Sequence, residues 1–348
     1  MDIERSGFGT TRDGQQVSLY KISNSSGAYI TVTDYGASLV SVAVPDRDGK
    51  LTDVTLGYDS VTGYETYSGH LGAVIGRYGN RIEGGAFNLN GTDYQLALNE
   101  GGHNNLHSGP DGYEYRMWQT AVNEQNGCVA FSLHSPDGDQ GFPGSLDVTV
   151  TYKFTEDNRV TLHYDAVCDK DTVVNMTNHS YFNLNGEGTG SIMDHELRID
   201  ADGYTPVDEF SIPYGTVDPV EGTPFDFRTA KVIGRDAGTE CEQLAHTGGY
   251  DHNFALNGSG FREVVEAYSP KTGIAMTVTT DQPGVQFYAG NFIRDAVGKG
   301  GKIYHKNDGF CLETQHFPNA VNVLAFESPR LDAGERYSTT TCYAFSVK

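Results

Sequence analysis

Two residues in this 348-residue chain have the character of a proton-transfer pair. His179 lies in Asn178-His179-Ser180-Tyr181-Phe182, and Glu313 in Phe310-Cys311-Leu312-Glu313-Thr314-Gln315. A carboxylate set among apolar neighbours must be paired or carry a shifted pKa. Imidazole is the side chain whose ordinary pKa lies nearest neutrality. Taken singly, His179 reads first as a core histidine pinning neighbouring strands, and Glu313 reads equally as half of a structural ion pair. Their company is more informative. Polar groups recur inside apolar, strand-like surroundings in Gly76-Arg77-Tyr78-Gly79-Asn80-Arg81-Ile82, Asn104-Asn105-Leu106-His107-Ser108, Tyr250-Asp251-His252-Asn253-Phe254 and Pro283-Gly284-Val285-Gln286-Phe287-Tyr288. Asn, Gln, Arg, His, Asp and aromatic residues together suit a sugar, whose hydroxyls donate and accept while its C–H faces pack on rings.

The elements that must position these residues read as strands. Leu146, Val148, Val150, Tyr152 and Phe154 alternate with polar residues, and Val160, Leu162, Tyr164 and Ala166 do so again after Glu156-Asp157-Asn158. Period two on both sides of a polar turn is a hairpin signal. Ile30–Thr33, Leu39–Val44, Gly273–Thr280 and Val285–Tyr288 read as further strands, the last two joined by the turn Asp281-Gln282-Pro283-Gly284. The richest helix candidate, 113–126, is short and weakly periodic. With 43 glycines and 12 prolines punctuating the chain, the pattern predicts an all-β sandwich or barrel. No linker stands out, so 1–348 is expected to be a single domain.

The composition excludes several functions. With 24 Lys+Arg against 46 Asp+Glu the formal charge is −22, which opposes nucleic acids and anionic membranes as partners. No stretch approaches the roughly 18 apolar residues of a membrane span, and the N-terminus, Met1-Asp2-Ile3-Glu4, does not read as a secretory signal. The five cysteines are odd in number and widely spaced, which suits reduced thiols in the cytoplasm. His103 and His107 have the spacing of a zinc pair but lack the glutamate of such motifs and sit among glycines. Dinucleotide, P-loop and nucleophile-elbow patterns fail on context or spacing. No cofactor, metal or nucleophilic serine is therefore expected.

Taken in order, the motifs resemble those of the aldose 1-epimerase (galactose mutarotase) family. The resemblance rests on Gly-Arg-Tyr-Gly-Asn-Arg-Ile at 76–82, Asn-Asn-Leu-His at 104–107, Asn-His-Ser-Tyr-Phe-Asn-Leu at 178–184, Tyr-Asp-His-Asn-Phe at 250–254, Pro-Gly-Val-Gln-Phe-Tyr at 283–288 and Leu-Glu-Thr-Gln-His-Phe-Pro at 312–318. It implies a large, mainly antiparallel β-sandwich of the galactose mutarotase-like supersandwich type. It further implies an enzyme that interconverts the α and β anomers of free hexoses such as galactose and glucose, with His179 as general acid and Glu313 as general base. Asn80, Arg81, His107, Ser180, Tyr181, Asp251 and Gln286 then correspond to sugar contacts. Ser108 departs from the pattern, where relatives commonly carry glycine. His179 is expected to need a nearby carboxylate to stay charged at neutral pH. A hexose-6-phosphate 1-epimerase, with Arg77, Arg81 and Arg294 as a phosphate cluster, and a non-catalytic carbohydrate-binding protein remain the alternatives. A monosaccharide is the partner implied, bound by a monomer or homodimer.

Overall fold

A computed structural model describes residues 1–67 and 69–348. Three antiparallel sheets dominate it. The first is a five-stranded meander in chain order, Asp2–Thr10, Gln16–Ser23, Tyr29–Thr33, Leu39–Pro45 and Leu51–Asp53. The second has nine strands. Gln119–Asn123, Cys128–Ser135, Leu146–Phe154 and Arg159–Cys168 follow one another, then Arg336–Val347 is inserted beside Ile274–Thr280, and Arg262–Tyr268, Glu196–Ile199 and Lys231–Val232 complete the sheet. The third runs Asp218–Pro219, Gly203–Tyr204, Asp251–Ala255, Gly284–Tyr288, Cys311–Gln315. The described α-helices, Val61–Thr66 and Glu242–Thr247, are single short turns of chain. The all-β expectation holds.

The strand chemistry follows the sequence period. Leu146–Phe154 and Arg159–Cys168 pair from Leu146↔Cys168 to Phe154↔Val160. Their inward-facing apolar residues are buried, and the intervening positions, Val167 among them, are partly or fully exposed, as period-two side chains on a half-covered sheet require. Each buried Val, Leu or Phe contributes roughly 1.5–3 kcal/mol on transfer from water. One continuous core joins the three sheets, with Ile30 and Val42 from the first, Val150, Leu162 and Val278 from the second, and Phe254, Val285, Phe287 and Leu312 from the third.

The segment 113–126 corrects the helix expectation. It forms a 3₁₀ turn at Tyr113–Tyr115, the strand Gln119–Asn123 and a second 3₁₀ turn at Glu124–Asn126. Strand pairing of Gln119–Asn123 with Cys128–Ser135 offers the backbone a full ladder that the weak helical period cannot match. Among the described residues no helix is long and apolar enough to cross a membrane.

Hydroxyls tie these layers together. Tyr152 Oη, from the nine-stranded sheet, donates to Ala37 O at 2.7 Å and accepts from Asn178 Nδ2 at 3.2 Å. Tyr343 Oη donates to Leu312 O at 3.2 Å, beside Glu313. Tyr152→Phe therefore strands a buried carbonyl and weakens the hold on Asn178. It should destabilise the protein by about 1–3 kcal/mol, read as a lowered urea midpoint at unchanged slope.

Candidate active site

The site is built on one face of the third sheet. In Cys311–Gln315, Leu312 enters the core and Thr314 Oγ1 bonds Thr341 Oγ1 at 2.5 Å. Alternation then turns Cys311, Glu313 and Gln315 to the opposite face. In Gly284–Tyr288, Val285 and Phe287 are core, so Gln286 and Tyr288 share the face of Glu313. In Asp251–Ala255, Phe254 is core, which leaves Asp251 and Asn253 on that face. The register sets Gln286 opposite Glu313, Tyr288 opposite Cys311 and Asp251 opposite Tyr288. An amide chain knits this surface. Gln286 Nε2 donates to Asp251 Oδ1 at 2.8 Å, and Gln315 Nε2 donates to Gln286 Oε1 at 3.3 Å and Asn253 Oδ1 at 3.2 Å.

His179 arrives from a separate ladder. Thr177–Asn178 pairs with Val74–Ile75, and His179 continues it, donating its N–H to Ala73 O at 2.9 Å and accepting from Gly72 N–H at 3.0 Å. Asn178 Oδ1 accepts from Ser180 N at 3.1 Å and Ser180 Oγ at 2.5 Å, fixing the turn that swings the imidazole inward. His179 Nε2 lies 3.7 Å from Glu313 Oε1. Its Nδ1 lies 3.5 Å from Cys311 Sγ.

His107 and Asn80 position each other. Both have positive φ, +52° and +61°, in the left-handed region that few side chains other than Asn adopt readily. Asn80 N–H donates to His107 Nδ1 at 3.1 Å, and His107 N–H donates to Asn80 O at 3.0 Å. Burial, reinforced by the nearby His70, His179 and Arg81, drives the His107 pKa well below its ordinary value. A neutral ring that accepts at Nδ1 carries its proton on Nε2. His107 is therefore held as a donor.

Arg81 is committed to a partner that the motifs do not contain. Its Nε lies 3.0 and 2.9 Å from the two Glu100 oxygens, and Nη2 lies 2.7 Å from Oε1. This bidentate pair fixes the guanidinium plane and offsets its charge. Burial raises the Glu313 pKa well above the ordinary carboxylate range, aided by Asp251 and opposed by Arg81. Burial likewise raises Asp251, against the pull of Arg81 and the Gln286 hydrogen bond. Burial, with His70 adding to it, depresses His179 to about 3. A carboxylate does stand beside His179, but desolvation outweighs it.

These groups surround a cavity of about 390 Å³ lined by Asn80, Arg81, His107, His179, Tyr181, Asp251 and Glu313 among the sequence-predicted residues. Ser180 and Gln286 do not line it. Ser180 is spent on the Asn178 turn and Gln286 stands behind Asp251. Arg77 is also elsewhere, sealed against Pro143 O, Thr172 and Ser135. The residues missed are His70, Glu100 and an aromatic wall that includes Tyr58, Tyr67, Tyr288 and Phe292, while Arg294, named for the phosphosugar alternative, does line the cavity. Tyr288 was reachable, since it lies two residues beyond Gln286 on a strand. His70 and Glu100 come from loops with no period to follow. One donor each from His107, His179 and Glu313 lie within 4.8 Å of one another. That spread exceeds the roughly 3.3 Å between donors around an ion bound at about 2.0–2.1 Å.

A buried imidazole beside a buried carboxylate, on the wall of a cavity that also presents aromatic rings, has the chemistry to exchange protons with a small hydroxylated molecule. Comparison with known proteins names the lineage. Residues 18–344 match the family described as aldose 1-epimerase, and the chain belongs to that family. It is 43% identical over 320 residues to a galactose mutarotase of Pongo abelii, covering 91% of each chain. It is 40% identical over 337 residues to an aldose 1-epimerase of Escherichia coli K12, covering 96% of each. The crystal structure of an aldose epimerase homologue from C. elegans superposes with a TM-score of 0.87 at 31% identity, covering 94% of this chain and 98% of that one.

The Ser108 departure has a physical explanation. Ser108 has φ +69°, which costs an L-residue roughly 1–2 kcal/mol. Its hydroxyl accepts from Tyr78 N–H at 2.7 Å and donates to Tyr78 O at 3.1 Å. Ser108→Ala keeps the strain and strands a buried amide, so it should cost about 1–3 kcal/mol. Ser108→Gly relieves the strain and should cost about 1 kcal/mol less. Equal denaturant midpoints for the two variants would contradict this account.

Proposed function

We propose that the protein is a mutarotase for free hexoses such as galactose and glucose, with Glu313 as general base and His179 as general acid. The observation that carries the reading is the 3.7 Å approach of His179 Nε2 to Glu313 Oε1 at the wall of a sugar-sized cavity. Interconversion of anomers requires removal of the C1-hydroxyl proton and delivery of a proton to the ring oxygen. The C1–O5 bond breaks, the open-chain aldehyde turns about C1–C2, and reclosure reverses both transfers. Glu313 takes the hydroxyl proton and His179 supplies the ring oxygen.

The electrostatics favour those directions. A raised pKa makes Glu313 a stronger base, and a depressed pKa makes His179 a stronger acid. The cost is that burial disfavours the charged form of each group relative to the neutral pair, a protonated carboxyl beside a neutral imidazole. That pair holds the same single proton as carboxylate and imidazolium, so exchange across the gap converts one into the other. His107 offers its Nε2–H to a sugar oxygen, Asp251 anchors a hydroxyl, and Arg81, tempered by Glu100, steadies developing negative charge.

The phosphorylated alternative loses support from the arginines. Arg77 is sealed away and Arg81 is paired, which leaves Arg294 alone on the cavity wall. The meeting of His179 with Glu313 speaks against a non-catalytic module. The same reading treats 1–348 as one functional unit, a monomer or homodimer in the cytoplasm, without nucleic-acid or membrane partners. The five free cysteines and the charge of −22 support that setting.

Glu313→Gln and His179→Asn should each lower kcat by ~10²–10⁴ without loss of fold. The check is the polarimetric relaxation of freshly dissolved α-galactose, and wild-type rates in a folded Glu313→Gln would remove the base assignment. Galactose should also outpace glucose 6-phosphate by at least about tenfold in kcat/KM, a factor worth about 1.4 kcal/mol. The reverse order would favour the phosphosugar reading.

A further inference from the structure

The cavity holds a third imidazole that the acid–base pair does not use. His70 lines the wall with its ring centroid 4.8 Å from His107 and 5.4 Å from His179. Its Nδ1 lies 3.1 Å from Glu114 Oε1. Glu114 belongs to the 3₁₀ turn Tyr113–Tyr115 and is only 3% exposed. Among the described residues no donor hydrogen-bonds either Glu114 oxygen, and its ion-pair partner is His70. A buried carboxylate is costly, and the approach of His70 Nδ1, at ion-pair distance but outside hydrogen-bond geometry, is the contact that offsets it among the described residues. The side chain of His70 retains 20% exposure, on the cavity side.

We propose that His70, held by Glu114, is a substrate-contacting residue that reads one sugar hydroxyl remote from the reacting oxygens, and that Glu114 is its positioning residue. The proposal rests on the mutarotase reading. With Nδ1 turned to Glu114, Nε2 is the atom that meets the ligand. A carboxylate behind an imidazole fixes ring orientation and tautomer, as it does for histidines that bind metals. His107, fixed as an Nε2–H donor by Asn80, stands next to it. Two imidazoles with fixed orientations, meeting edge to face at 67°, form a gauge for hydroxyl position, which a single flexible side chain does not provide. Such a gauge selects among aldoses that differ at a carbon the chemistry never touches.

The test pairs His70→Phe, Glu114→Ala and Glu114→Gln with galactose and its monodeoxy analogues. His70→Phe should lower kcat/KM for galactose about tenfold, the scale of one hydrogen bond to a ligand, mainly through KM. For the one analogue lacking the contacted hydroxyl, wild type and variant should be equal. Glu114→Ala should resemble His70→Phe, and Glu114→Gln, which keeps the shape and a polar oxygen of the side chain 3.1 Å from Nδ1, should recover part of the loss. A uniform loss across all sugars, or no loss, overturns the contact. If wild type turns over none of these sugars, the mutarotase reading fails instead. Calorimetric binding of galactose and its deoxy analogues to the same variants then decides the contact by the same pattern.

Discussion

The antiparallel register that places Gln286 opposite Glu313 and Asp251 opposite Tyr288 is the constraint on which the site rests. A strand has two faces, and in this sheet one face is spent on Val285, Phe287, Leu312 and Phe254 in the core. The other face is thereby forced to carry Asp251, Gln286, Tyr288, Cys311 and Glu313 together. A slip of one residue in Asp251–Ala255 would turn Asp251 into the core and Phe254 to the site face, and a slip in Cys311–Gln315 would turn Glu313 into the core. Core packing and site assembly are thus one condition, enforced by the same hydrogen bonds.

Burial follows from that arrangement and sets the chemistry. The sheet face is covered by the Val74–Ile75 and Thr177–Asn178 ladder and by the turn that carries Asn80 and His107. Desolvation then raises Glu313 and lowers His179 and His107. The protein corrects the resulting imbalance selectively. Arg81 is given Glu100, Asp251 is given Gln286, and His107 is given a backbone amide. Glu313 Oε2 is left without a hydrogen-bond partner among the described residues. An unpaired acceptor is thus left on the carboxylate assigned to take a proton.

Much of this was legible because strands write their geometry with a period of two. The hairpin through Leu146–Phe154 and Arg159–Cys168 matches the alternation residue for residue, and Glu313 follows the apolar run Phe310-Cys311-Leu312. The weak helical pattern at 113–126 misled because Gln119–Asn123 is decided by its neighbour Cys128–Ser135 and not by its own sequence. Ser180 and Gln286 hydrogen-bond Asn178 and Asp251, partners that neither alternation nor motif membership encodes. Glu100, His70 and Glu114 reach the site from loops and turns. Their partners are fixed by tertiary closure, and no local pattern announces them.

The strand Arg336–Val347 lies between Arg159–Cys168 and Ile274–Thr280, in the interior of the nine-stranded sheet. During synthesis the sheet therefore exists as two incomplete halves until residues 336–347 have emerged from the ribosome. Each half presents a long apolar-patterned edge with unpaired N–H and C=O groups in that interval. Closing the gap demands contacts between residues more than 150 positions apart, as in Arg159 opposite Ala344, which is slow by its nature. The nascent chain thus has a vulnerable period that ends only with its last strand, and any premature stop before that strand leaves two sticky edges in place of a seam.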